Sequence, residues 1–421
     1  MHFSTLLTAL VASSSALLAC ASSSSSPLIA QYWPAYNSDL QPVSQIPFNY
    51  SDIAYYFVTV TTKNGFEIGG GQPTEDISAF VQGAKAAGSK PVFSLGGWTG
   101  SLYFSTLVRT AEKRTKLAND IKSFMEKWDF VGVDLDWEYP NGEGIGCNVI
   151  SPSDSTNLLH FLKLLRTTIG SHSLITAAVS TGGIYGPDGT ALSDFSPYAK
   201  YLDYINLMAY DISGSWSPTT GPNAPLRTCK SDSSVQASVK LWTSRGFPAA
   251  KILLGIPSYA ISFTTTSLTL KKDYINNGKW TSLLYQEWTK VTPPGAPGDS
   301  NAESTDVCGN KASGYSGQWQ YKQLIEEGLL SADGSKGLNG FTRRFDSCSQ
   351  TPFLFNPKKK QLIAYDDAHS AGAKSAWAKA QGLAGVMIFD TTGFDTNVYE
   401  TIKSNLLSRK TRRHLMLDMH A

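Results

Sequence analysis

Residues 131–140 read VGVDLDWEYP, and the three acids Asp134, Asp136 and Glu138 stand at every second position. Phe130, Val131 and Val133, with the interleaved Leu135 and Trp137, have the composition of a buried β-strand. A strand sends successive side chains to opposite faces, so the three carboxyls share one face, about 7 Å apart. Val133, Leu135 and Trp137 share the other. Burying three like-charged groups in one column is electrostatically costly, which predicts that at least one stays protonated near neutrality. A chain tolerates such a column mainly where it does acid–base chemistry, so this segment is the candidate active site. The rival reading, a structural ion-pair cluster, needs Arg or Lys on neighbouring inward faces. The candidate strands offer none.

Working outward, short apolar runs alternate with helical patterns over most of the chain. Candidate strands are residues 28–33, 53–60, 91–95, 130–137, 174–180, 204–208, 252–256 and 385–389. Several are apolar without alternation, the mark of parallel strands covered on both faces. Helical patterns fall at 76–87, 110–128, 155–169, 234–245, 368–381 and 396–407. Eight strands separated by helices or longer crossovers predict an α/β fold, a closed (β/α)8 TIM barrel spanning 28–407. An open doubly wound sheet would want a glycine-rich phosphate turn after an early strand, and Gly69-Gly70-Gly71 lacks that spacing. Residues 259–365 break the rhythm. A structureless loop of that length is improbable in a compact domain, so a small α+β insertion is expected between the seventh strand and the helix starting near Ala368.

Composition narrows the partners. Charged residues are 17% of the 421 and the net charge is +2, which excludes the dense basic surface that nucleic-acid binding needs. The one basic run lies in residues 408–421 and reads as a solvated tail. Residues 1–21 read as an export signal ending in Ala19-Cys20-Ala21, followed by a serine-rich spacer at 22–27. Leu17-Leu18-Ala19-Cys20 also resembles a lipoprotein box, but no Lys or Arg precedes the apolar stretch, so simple cleavage and secretion are expected. No later segment has the about 18 uninterrupted apolar residues of a membrane helix. Four cysteines then remain, an even number that suits two disulfides in an exported chain. Cys147 and Cys229 follow the fourth and sixth strands on one rim, and Cys308 and Cys348 both fall in the insertion. The expected pairs are therefore Cys147–Cys229 and Cys308–Cys348. No CxxC or HxxxH spacing accompanies them, so neither a metal nor a cofactor is expected. Asn49-Tyr50-Ser51 is a lone glycosylation sequon.

In a barrel the C-terminal strand ends carry the chemistry. Glu138 lies nearest that rim, with Asp136 and Asp134 progressively deeper, an order that suits deep acids tuning a terminal proton donor. Ser94, Gly97 and Trp98 close the third strand, where small residues permit close approach and Trp98 offers a stacking face. Met208, Tyr210 and Asp211 close the sixth. Tyr32 and Phe57 belong to the first two, and Phe389 closes the eighth. Any one aromatic among them reads most simply as core. Together, at five strand ends around the acid of the fourth strand, they describe a cleft for stacking on sugar faces.

At these residues the chain resembles glycoside hydrolase family 18, the secreted chitinases, most closely those of fungal type. The signature DGxDxDxE appears as residues 131–138, SxGG as 94–97 and MxYD as 208–211, with weaker echoes at 254–259, 349–353 and 364–367. The resemblance implies substrate-assisted, retaining hydrolysis of β-1,4-linked N-acetylglucosamine polymers, a stated exception to the two-carboxylate scheme. It implies that Glu138 is general acid, then base. Asp136 holds the acetamide N–H and shares a proton with Asp134, while Tyr210 donates to the acetamide oxygen. Asp211, Met208 and Tyr139 shape the site, and Trp98 stacks on the leaving-group side. Chitin or its oligomers would be the partner of a monomeric enzyme. Three positions depart from the pattern. Val131 replaces the first Asp, and strand parity turns it toward the helices with Val133. Phe389 stands where the family usually has Trp, and Tyr259-Ala260-Ile261 where it often reads YGR. Two other functions share this fold: a chitinase-like lectin, which lacks the terminal acid present here as Glu138, and an endo-acting N-glycan deglycosylase with a differently shaped cleft.

Overall fold

All eight apolar runs become barrel strands in the computed structural model, which describes residues 26–69 and 74–408. They are β1 (Leu28–Pro34), β2 (Ile53–Thr62), β3 (Lys90–Gly96), β4 (Gly132–Asp136), β5 (Leu174–Val179), β6 (Tyr204–Leu207), β7 (Ile252–Pro257) and β8 (Gly385–Phe389). Each pairs in parallel with its neighbours, and β1 pairs with both β8 and β2, which closes the sheet into a barrel. A hairpin strand, Gly65–Ile68, extends β2 antiparallel beyond the rim. Closure explains the unbroken apolar runs. Outward residues such as Phe93, Val133, Leu135 and Ile205 pack under the helices, while Ala30, Ile53, Tyr55, Val92, Leu253 and Met387 fill the interior.

The long helices Glu75–Ala86, Ala111–Trp128, Asp154–Ile169, Val235–Ser244, Ala368–Ala380 and Thr396–Leu407 lie where the 3.6-residue patterns predict them. Their starts are written in capping chemistry. Thr110, Ser234, Asp367 and Asp395 each accept a backbone N–H of the first turn, satisfying a donor the helix itself cannot. Two short helices, Phe104–Val108 and Ser196–Ala199, are invisible to periodicity because they barely complete a turn.

Residues 259–364 build a five-stranded antiparallel sheet ordered Gln318–Gln320, Tyr259–Thr264, Gln361–Ala364, Thr351–Asn356, Thr342–Asp346, with the helix Tyr321–Glu326 beside it. The strand Gln318–Gln320 runs directly into that helix. Its buried Trp319 pairs with Ala260, a partner remote in sequence, and that pairing overrides local propensity.

Two expectations fail. The disulfides are Cys147–Cys308 and Cys229–Cys348, not Cys147–Cys229 and Cys308–Cys348. The insertion does not staple itself. Each bridge ties it to a barrel loop, because it folds down onto the rim: Cys348 is buried and Leu226 donates its N–H to the Ser349 carbonyl at 2.8 Å. Closing loops of 161 and 119 residues restricts the unfolded chain by an amount equivalent to about 5 kcal/mol each in the chain-entropy picture. Val131 is the second. It precedes β4 by one residue and packs with the interior cluster, not with the helical layer that holds Val133. Strand parity cannot be extended past the first strand residue, Gly132.

Among the described residues no helix is long and apolar enough to cross a membrane, and no cluster of His, Cys, Asp or Glu is spaced to hold a metal ion. The expected export signal, Cys20, most of the serine spacer and nearly all of the basic tail lie outside the described residues.

Candidate active site

β4 delivers the acids in the order the alternation demands. Asp134 is fully buried, Asp136 nearly so, and Glu138, two residues past the strand end, keeps 9% of its surface exposed. The buried Ser101 hydroxyl holds the backbone between the last two. It accepts the Glu138 N–H at 3.0 Å and lies 2.9 Å from the Asp136 carbonyl and 2.8 Å from that of Gly97, to which it can donate. Gly97 donates its own N–H to the Asp136 carbonyl at 2.7 Å. Its φ of +84° and the Phe57 ring 2.4 Å from where a Cβ would stand leave room for glycine alone. On the other flank the Asn148 side-chain amide donates to the Glu138 carbonyl at 2.6 Å.

Asp134 is saturated with donors. Tyr32 and Ser94 hydroxyls reach one oxygen at 2.7 Å each, and the Thr176 hydroxyl (2.7 Å) and Asn206 amide (3.1 Å) reach the other. Burial pushes its carboxyl up while these four hydrogen bonds pull it back. Asp136 has no such shell. Burial, then Glu138, then Asp134 hold it well above the usual carboxylate range, and its Oδ1 is buried without a hydrogen-bond partner. Glu138 is raised by burial to about 7, with the Tyr139 hydroxyl opposing and Asp211 adding to the rise. Asp211, itself raised by burial, accepts the Tyr259 hydroxyl at 2.6 Å and sits at a φ of +53°. Three carboxyls around one opening are thus all raised by burial, each with different neighbours, an arrangement that suits an acid–base site.

These groups face a cleft of about 440 Å³ lined by Tyr32, Tyr36, Phe57, Trp98, Asp136, Glu138, Tyr139, Met208, Tyr210, Asp211 and Phe389. Every aromatic and acidic residue singled out from the sequence as touching a ligand is in that lining. Asp134 and Ser94 lie beneath it and Gly97 behind Phe57. Phe389 is the floor: Tyr210 stacks on it at 5.9 Å and 23°, while Tyr32, Phe57 and Tyr259 surround it at 5.7–6.4 Å. Gly255 makes this possible, since a Cβ there would stand 2.7 Å from the Tyr210 ring.

A second lobe of about 790 Å³ opens past Glu138. It shares Trp98, Tyr139, Met208, Tyr210 and Asp211 with the first and continues along Trp216, Ile261, Ser262, Thr292, Ser316 and Gln318. Trp98 and Trp216 are 49% and 67% exposed, so each offers an open ring face to this lobe. Ile261, at the position where an arginine was expected, presents an apolar wall instead. Sequence reasoning missed Tyr36, Ser101, Asn148, Thr176, Asn206 and Trp216. The inward parity of Thr176 and Asn206 was available from their strands. Trp216 stands out as a Trp in a Gly/Ser loop.

The profile of Glycosyl hydrolases family 18 matches residues 28–393. A chitinase-like effector of Moniliophthora roreri is 37% identical over 369 residues, covering 86% of this chain and 88% of that protein. Chitinase A1 of Niallia circulans is 30% identical over 321 residues, 72% of this chain and 40% of that protein. The crystal structure of chitinase RmChi1 from Rhizomucor miehei superimposes with a TM-score of 0.79 at 27% identity, covering 90% of this chain and 99% of that one.

Proposed function

The chain belongs to Glycosyl hydrolases family 18, and on that premise we propose that it is a secreted, monomeric chitinase needing no cofactor. Its substrate is a β-1,4-linked N-acetylglucosamine chain lying along both lobes. The deep lobe takes the sugar whose bond is cut, against Phe389 and Tyr210. That sugar's own acetamide oxygen attacks its anomeric carbon as the glycosidic C–O bond breaks, and Glu138 gives its proton to the departing oxygen. Asp136 accepts the acetamide N–H through its free Oδ1, and Tyr210 donates to the acetamide oxygen. Water then adds to the anomeric carbon, Glu138 takes the water's proton, and the ring formed with the acetamide reopens with net retention.

The observation that carries this reading is Glu138: a terminal acid with its pKa raised to about 7, beside Asp136 with an unpaired oxygen. Such an acid is protonated when it must donate and a competent base afterwards. Two disulfides suit an oxidising, extracellular setting. A second reading, a chitin-binding protein that does not cut, is favoured by the chitinase-like effector among its relatives. Hydrolysis of a soluble N-acetylglucosamine oligomer by the protein and by Glu138→Gln separates them. The chitinase reading requires turnover that drops by at least about 100-fold in the variant. Tight binding without turnover by the unaltered protein selects the second.

A further inference from the structure

The outer lobe carries a feature that the reaction does not use. From the rim at Thr292, Ser316 and Gln318, residues 300–315 leave the insertion as a ribbon in which all but Cys308 and Tyr315 are exposed. Its root is pinned by Asp299, whose carboxylate accepts the N–H groups of Gly295, Ser316 and Gly317 at 2.8–3.0 Å. Its middle is a minimal hairpin, Ser304–Thr305 against Lys311–Ala312. At the tip, Cys308 is bonded to Cys147 and its sulfur lies 3.9 Å from the Ile145 carbonyl. Cys147 belongs to the loop that leaves the catalytic strand, the loop whose Asn148 holds the Glu138 carbonyl. The ribbon is thus rooted on the insertion wall of the outer lobe and fastened behind the wall that Glu138 and Tyr139 supply. About eight residues each way reach at most about 26 Å, enough to bridge the two.

We infer that residues 300–315 are a strap, fastened by Cys147–Cys308, that closes the leaving-group end of the groove, so that the site takes the reducing end of a chitin chain and excludes its interior. The inference rests on the function proposed above. The deep lobe holds the sugar whose acetamide reacts, and what departs from that sugar is always the reducing-end side, which therefore occupies the outer lobe. The hydrogen bonds described for the ribbon stay within it or run to Asp299, apart from the contact at Cys308. An exposed hairpin of two-residue strands buries too little to hold itself in place. The disulfide alone keeps the strap across the lobe, and severing it leaves an open groove.

Binding tests this without relying on turnover. In the Glu138→Gln background, affinities are measured for a free N-acetylglucosamine hexamer and for hexamers coupled to streptavidin through a biotin at the reducing or the non-reducing end. With the strap fastened, reducing-end coupling weakens binding at least tenfold relative to the free hexamer, and non-reducing-end coupling by less than twofold. Adding Cys147→Ser and Cys308→Ser brings the reducing-end penalty below twofold. Should that variant fail to fold, Cys147→Ser with residues 303–312 deleted opens the lobe by removing the strap itself. Equal binding of the free and reducing-end-coupled hexamers by the strapped protein, or a penalty unchanged once the strap is cut, overturns the inference. If the free hexamer itself does not bind, the proposed function falls, and the strap inference falls with it.

Discussion

Glu138→Gln should cost the protein its activity and make it more stable, by an amount set by pH. Burial raises the Glu138 carboxyl from its usual 4.5 to about 7. Between those values the folded protein holds a proton that the unfolded chain has released. Stability therefore falls as pH rises from about 4.5 to about 7 and levels off above. A rise of that size corresponds to about 3 kcal/mol at pH 8, where the charged carboxylate must be kept in a nearly dry site, and to under about 1 kcal/mol at pH 5. Glutamine has the same shape and does not titrate. The stability difference between variant and wild type should therefore move in the variant's favour by about 2–3 kcal/mol from pH 5 to pH 8. Loss of the Glu138 charge also relieves Asp136, which it pushes upward, so the two effects act in the same direction. Urea unfolding followed by tryptophan fluorescence, with both proteins at both pH values, measures it. A difference that is the same at pH 5 and pH 8 within about 0.5 kcal/mol would refute the assignment of a raised pKa to this residue. In the wild type, kcat/KM should fall on the alkaline side of about pH 7 as the same proton is lost.

Ser101→Ala leaves the buried Glu138 N–H without an acceptor, so unfolding should become easier by about 1–3 kcal/mol and kcat should fall more than KM changes. Lys374 and Asp366 form an ion pair in which both side chains are fully buried. Lys374→Met strands the carboxylate and should cost about 3–5 kcal/mol in urea unfolding, most of it recovered when Asp366→Leu is added. Phe389→Trp enlarges the floor of the deep lobe, and titration calorimetry in the Glu138→Gln background should show oligomer binding tightened roughly three- to tenfold. Unchanged affinity would mean that this ring does not carry a sugar.

Much of this was legible because it depends on local pattern. A parallel strand buried on both faces has to be apolar along its length, so the eight barrel strands can be read directly, and caps such as Thr110 and Asp367 mark helix starts. The acid column is legible because two-residue alternation is a property of any strand. Other features left no local trace. The strand Gln318–Gln320 exists because Ala260 lies opposite Trp319. Ser101 is one serine among many until the turn at Gly97 brings it under Glu138. Asn206 and Thr176 had inward parity, but neither residue type proclaims chemistry without Asp134 beside it.

Taken alone, the amino-acid sequence determined the barrel, the face shared by Asp134, Asp136 and Glu138, and their order toward the rim, since each follows from strand geometry within a few residues. Only the tertiary structure decided how unlike those three acids are. Asp134 is saturated by donors from four other strands, Asp136 keeps an unpaired oxygen, and Glu138 is lifted to about 7. It also decided which cysteines meet, and so which wall of the groove is fastened to which. Proton affinity and disulfide pairing depend on groups that are distant in sequence and close in space, and no local pattern records that closeness.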